Sequence, residues 1–187
     1  MAQLRNGVAE LLGTEVTALH FPCFYVVPQC SAKHSWVEVD MKAEHHVIQS
    51  KPSIPLSAVV ELLDTLLASY PIDLRRLYLI GLSMGGFGVW DLLSRWPERF
   101  AAAVPICGGA DENAVVVAQA VPIWAFHGAH DPIIRVTRSR RAVKALRAAG
   151  GSPCYTEYPE VEHDAWTQAF AEPKLLPWLF AHHRSTV

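Results

Sequence analysis

Ser83 lies in Gly81-Leu82-Ser83-Met84-Gly85, directly after the apolar run Leu77-Tyr78-Leu79-Ile80 and ahead of residues 87–95, which can form a helix. A serine between glycines at a strand-to-helix corner is the setting of a nucleophile elbow, where a strained turn lifts the hydroxyl to the carboxyl edge of a sheet. Gly81 and Gly85 are expected to be glycine because the corner leaves no room for side chains. A serine hydroxyl is a poor nucleophile at neutral pH. It needs a base within hydrogen-bond reach and a third group that holds this base in one tautomer. His163, in Glu160-Val161-Glu162-His163-Asp164, is the candidate base, and Asp131, in His127-Gly128-Ala129-His130-Asp131-Pro132, is the candidate acid. Each follows an apolar run that reads as a strand, and the order Ser, Asp, His is the one in which an elbow-bearing sheet delivers these groups. The chemistry this implies is acyl transfer through a covalent serine intermediate.

Other residues compete for these roles. Asp131 also suits a turn ahead of Pro132, Asp164 suits the cap of a helix starting near Trp166, and Asp164 and Asp111 remain rivals for the acid. His127 and His130 are expected to shape the acid loop rather than to act as bases. His20, His34, His45, His46, His182 and His183 fall in loops or the tail and read as exposed. The His45-His46 pair has no further ligands at metal-binding spacing, so neither a metal nor another cofactor is expected.

The elements that must position these groups are legible as alternating runs. Leu4, Val8, Leu11 and Leu12 recur at helical spacing before Gly13, and a first strand is expected at Phe24–Val27. The stretch from Pro28 to Lys51 is polar and irregular, and is read as a loop or lid edge. Ser53 is a candidate N-cap for a helix that ends before Pro71. Strands are then expected at 77–80, 102–106, 121–126 and 154–158, with helices at 137–149 and 173–182. Strands alternating with helices imply an α/β fold, a three-layer α/β/α sandwich on a mainly parallel sheet, in one domain spanning 1–187.

Composition narrows the class. The 187 residues are 51% hydrophobic and 18% charged with a formal net charge of −2, which suits a core-rich globular unit and gives no basic surface for nucleic acid. Cys23, Cys30, Cys107 and Cys154 are scattered and read as free thiols. The first residues carry no apolar signal core and no apolar run is of membrane-spanning length, so a cytoplasmic protein without a membrane partner is expected.

Five segments, FPCFYVVPQC, YLIGLSMGGFGVWDL, PERFAAAVPICGG, WAFHGAHDPIIRV and YTEYPEVEHDAW, together resemble bacterial carboxylesterases of the α/β-hydrolase superfamily. The relevant branch holds phospholipase/carboxylesterases and a peptidase-like group akin to feruloyl and polyhydroxybutyrate esterases. The resemblance implies a small-molecule ester substrate, the triad Ser83, Asp131 and His163, and the Met84 amide as one oxyanion-hole donor. It also implies that Trp36 and Trp166 line or border the acyl pocket, with packing as the open alternative for both.

Members of that group carry strands and a His-Gly loop ahead of a segment like Gln3–Gly7, and that loop provides the second oxyanion donor. Here the segment stands at the start of the sequence, which leaves two expectations. Either Phe24–Val27 occupies the place beside the elbow strand, with Gln29 or Cys30 as the second donor, or a homodimer completes the sheet edge. Truncation also leaves open a weakly active or inactive relative that serves as a binding or assembly module.

Overall fold

The structure, a computed structural model, describes residue 7 and residues 11–185. Its centre is a sheet of four parallel strands in the order β1 (Tyr78–Leu82), β2 (Ala102–Ile106), β3 (Trp124–Gly128) and β4 (Cys154–Tyr158). Side chains alternate across β2 with the period of two that a strand imposes. Ala102, Val104 and Ile106 enter one apolar cluster, whereas Ala103 enters the other.

Those two clusters are the interfaces of a three-layer α/β/α sandwich. One face is covered by α2 (Ile54–Ser69), α3 (Met84–Arg95) and α4 (Thr137–Ala148) through Leu56, Phe87, Trp90, Leu93, Val143 and Leu146. The other is covered by α5 (Ala165–Phe170) and α6 (Leu175–Ala181) through Ala165, Ala169, Leu175 and Leu179. A short helix α1 (Glu15–His20), capped by the Thr14 side chain, precedes them. Ser53 caps α2 as its sequence position suggests, accepting from the Leu56 amide at 3.2 Å. The helix expected around Leu4–Leu12 falls largely outside the described residues.

The first strand expected from sequence does not form. Phe24–Val27 is without regular structure, and Phe24 and Tyr25 are 64% and 50% exposed. Aromatic and β-branched residues favour a strand only where a neighbouring edge supplies hydrogen bonds and a face to pack on, and no strand pairs with this segment among the described residues. Phe24 instead sets its ring against Tyr70, just past α2. Phe24–Val27 therefore does not take the place beside β1, whose outer edge has no strand partner among the described residues.

The corner after β1 is tight at two points, one of them unexpected. A Cβ on Gly81 would lie 2.3 Å from the Gly85 carbonyl oxygen, so Gly81 is required, but a Cβ on Gly85 would meet nothing within 4 Å. The second tight position is Gly86, where a Cβ would fall 2.6 Å from the Ile106 carbonyl oxygen and 3.1 Å from Gly108 Cα. Gly86 thus lets α3 pass against the end of β2 and fixes the distance between elbow and sheet. Gly86→Ala is expected to destabilise the fold by about 1–3 kcal/mol through overpacking. Gly85→Ala, in the same helix, should be neutral or stabilising by up to about 1 kcal/mol. Thermal or urea unfolding of the two variants checks this, and equal losses would contradict it.

Candidate active site

Three loops leave the carboxyl edge of the sheet, and each delivers one polar side chain. Ser83 sits between β1 and α3 with φ 53° and ψ −118°, a left-handed conformation that a non-glycine residue adopts only when its surroundings hold it there. The restraints are visible: its amide donates to the Ile106 carbonyl at 2.9 Å, and its carbonyl accepts from Phe87 in the first turn of α3. The strained turn aims Oγ away from the sheet and places Met84 at the first position of the helix, where backbone N–H groups have no partner inside the helix.

The loops after β3 and β4 are clasped together. Ala129 donates to the Tyr158 carbonyl at 2.9 Å and His130 to the Val161 carbonyl at 3.0 Å. Gly128 lies so close beneath Val161 and Glu162 that a Cβ would come within 2.0 Å of the Glu162 oxygen. This contact sets His163 over Asp131. His163 Nδ1 is 2.7 Å from Asp131 Oδ2, and His163 Nε2 is 2.8 Å from Ser83 Oγ. Because the carboxylate can only accept, Nδ1 carries the hydrogen and Nε2 presents its lone pair to the serine hydroxyl.

The Asp131 side chain is fully buried, yet its charge is well satisfied. Oδ1 accepts from the amides of Ile133 and Ile134, each at 2.9 Å, while Oδ2 faces His163 and, at 3.1 Å, His127 Nε2. Burial alone pushes its carboxyl upward, but hydrogen bonds from His127, His163 and the amides of Ile134 and Ile133 outweigh this and hold it well below the usual carboxylate range. Cys107, the residue after β2, also has a positive φ, and its thiol reaches the His163 carbonyl at 3.4 Å. Burial pushes that thiol up to about 12, so it stays neutral. Cys107, Asp131 and His163 have ligand-type atoms within 4.8 Å of one another. The Asp131 and His163 atoms among these are already engaged in the hydrogen bonds just described.

The remaining candidates separate cleanly. Asp111 is no rival for the acid: it is buried and spends its oxygens on the amides of Ile48, Asn113 and Ala114, pinning the long loop. Asp164 is an exposed residue at the start of α5. Trp166 stands edge-on to the His163 ring, with centroids 5.3 Å apart. Trp36 is buried in the core, with its Cβ pressed on Gly88 of α3, so the packing alternative describes its surroundings. Gln29 is exposed and its carboxamide donates to the Cys30 carbonyl at 3.0 Å. With no strand at Phe24–Val27, the premise that brought Gln29 to the oxyanion hole is absent. His46 was expected to be exposed but is partly covered, receiving a hydrogen bond from Arg138. Burial and the Arg138 charge lower it to about 4.

Sequence reasoning gave His127 only a loop-shaping role and missed its contact with the acid. The one available signal was its i, i+4 spacing from Asp131 at the end of an apolar strand.

The chain as a whole is similar to known esterases. The crystal structure of a thermostable esterase superposes with a TM-score of 0.86 at 36% identity, covering 95% of this chain and 49% of that one. A bifunctional acetylxylan esterase/xylanase of Neocallimastix patriciarum is 29% identical over 109 residues, 56% of this chain and 16% of that protein. Poly(3-hydroxyalkanoate) depolymerase C of Paucimonas lemoignei is 36% identical over 52 residues, 28% of this chain and 13% of that protein. The chain thus spans about half the length of the esterase and far less of the two longer enzymes. The family model of phospholipases and carboxylesterases matches residues 8–174, nearly the whole chain, and to that family this protein belongs.

Proposed function

We propose that this chain hydrolyses carboxylic esters of small or short acyl groups through an acyl-enzyme on Ser83, within a single domain. The observation that carries the reading is the unbroken contact from Ser83 Oγ through the His163 ring to the buried Asp131 carboxylate. As Ser83 Oγ attacks the ester carbonyl carbon, His163 Nε2 takes the hydroxyl proton and Asp131 stabilises the imidazolium that forms. The tetrahedral intermediate collapses, His163 returns the proton to the departing alcohol oxygen, and the acyl group remains on Ser83. Water then enters by the same route in reverse, leaving the carboxylic acid and free serine. The Met84 amide serves as one donor to the oxyanion.

Family membership and the esterase, acetylxylan esterase and depolymerase relatives support ester hydrolysis, and make acetyl esters the first substrates to try. Feruloyl esters, thioesters and peptides are the alternatives within the same chemistry. The β1 edge, which no strand pairs among the described residues, favours a second reading, in which the site works weakly until another strand pairs there. A second copy of the chain, pairing there as a homodimer, is the proposed source of that strand and of the second oxyanion donor.

Wild-type protein is expected to hydrolyse nitrophenyl acetate and Ser83→Ala to lose on the order of 10⁶-fold in kcat. Equal rates would remove Ser83 from the chemistry. Asp131→Asn should retain the fold and lose on the order of 10⁴-fold, because His163 is then free to adopt the wrong tautomer.

The same residue sets an acid-stability signature. Its folded pKa is depressed, so its contribution to stability is fully present above the ordinary carboxylate value of about 3.9 and is lost as pH falls toward the depressed value. Urea unfolding of Asp131→Asn should therefore show a shallower loss of stability below about pH 4 than wild type. Parallel pH curves would contradict the depressed value.

A further inference from the structure

We propose that His127 is a positioning residue for the triad: a second imidazole, anchored by Ser139, that shares Asp131 Oδ2 with His163 and tunes how strongly the carboxylate holds it. His127 is the penultimate residue of β3 and is fully buried on the α4 side of the sheet. Its Nε2 faces two oxygens, the Ile134 carbonyl at 2.9 Å and Asp131 Oδ2 at 3.1 Å. Both are acceptors only, so Nε2 carries a hydrogen and shares it between them. Its Nδ1 lies 2.7 Å from the Ser139 hydroxyl, which is itself buried and 3.1 Å from the Gly108 carbonyl. The Ser139 hydroxyl, which donates to the Gly108 carbonyl, thus holds the ring from behind and fixes how Nε2 meets the carboxylate. The result is a single relay, Ser139 to His127 to Asp131 to His163 to Ser83, with every ring nitrogen in it engaged.

Burying so many polar atoms to fill space is costly, since an apolar side chain would pack there without needing partners. What this arrangement adds is control of one oxygen. The His127 N–H draws charge from Asp131 Oδ2 and competes with His163 for it, and also fixes the carboxylate against rotation when His163 becomes charged. The other groups facing the relay are few. Cys107 adjoins Asp131 and His163 as a neutral thiol, and Glu157, paired with His127 in the register of β3 and β4, has its carboxylate held by Arg140 and Tyr155. Arg138, next to Ser139 on α4, is directed to the Ala43 carbonyl and His46, and Glu162 and Asp164 beside His163 are exposed.

The inference rests on the ester-hydrolase reading, and its test has one readout that needs no substrate. Nitrogen NMR of the imidazoles follows the titration of His163 in wild type, His127→Phe, His127→Gln and Ser139→Ala, alongside kcat/KM against pH with nitrophenyl acetate. Removing the His127 donor leaves more charge on Oδ2, so His163 in His127→Phe should titrate about 0.5–1 pH unit higher. The acid limb of kcat/KM should move with it, and kcat should fall about tenfold with KM unchanged. His127→Gln, which keeps an N–H donor, should move both back toward wild type. Ser139→Ala, which keeps the ring but removes the contact that holds it from behind, should give a smaller shift in the same direction.

A folded His127→Phe with an unmoved His163 titration overturns the proposal. If His127→Phe does not fold, an unmoved titration in Ser139→Ala overturns it. A shifted titration in a protein whose wild type hydrolyses nothing supports the relay and defeats the ester-hydrolase reading instead.

Discussion

A single buried carboxylate organises the functional end of this molecule. Asp131 brings a negative charge where solvent does not reach it, and an unpaired charge there would be strongly destabilising. The fold meets that demand with four donors: two backbone amides of its own turn on Oδ1 and two imidazoles on Oδ2. Each donor constrains a different part of the structure. The amides set the turn after β3, His127 ties the carboxylate to α4 through Ser139, and His163 ties it to the loop after β4. The site is thus where the charge of one side chain is neutralised by parts of the chain that are distant in sequence.

The sheet makes this convergence affordable. All four strands run parallel, so their carboxyl ends lie along one rim and the loops leaving β1, β3 and β4 share it. Two residues on this rim, Ser83 and Cys107, have positive φ without being glycine. Their strain sits beside close backbone passages at Gly86 and Gly128, where neighbouring elements approach more tightly than any side chain would allow. Local strain is held by packing on both faces of the sheet, which is why buried apolar residues in β2 and β3 matter to a rim they never touch.

Much of this was legible from residues alone. Strands β2 and β4 occupy the spans their composition suggested, because each is bounded by turn-forming residues and has a partner on which its pattern makes sense. The elbow and the two loops were marked by Gly81, Ser83, Asp131 and His163. Phe24–Val27 misled because β propensity describes a surface that needs a neighbour, and sequence does not say whether one is there. β3 runs on to Gly128, past the expected end at Phe126, because His127 and Gly128 still pair with β4 although neither favours a strand. Gly85 was expected to be required by the corner, but the required position is Gly86, because the space there depends on where β2 ends. The place of His127 against Asp131 was hidden for the same reason: spacing put them near each other, but only the packing of α4 turned one imidazole nitrogen toward Ser139 and the other toward the carboxylate.

The most direct test of the account is covalent. Exposing the protein to a fluorophosphonate and mapping the adduct by mass spectrometry should find one phosphonyl group, on Ser83, formed rapidly at neutral pH and absent when His163 is replaced by alanine. Labelling that is absent from Ser83, or that proceeds equally well without the imidazole, would contradict the claim that these three side chains form a working nucleophile.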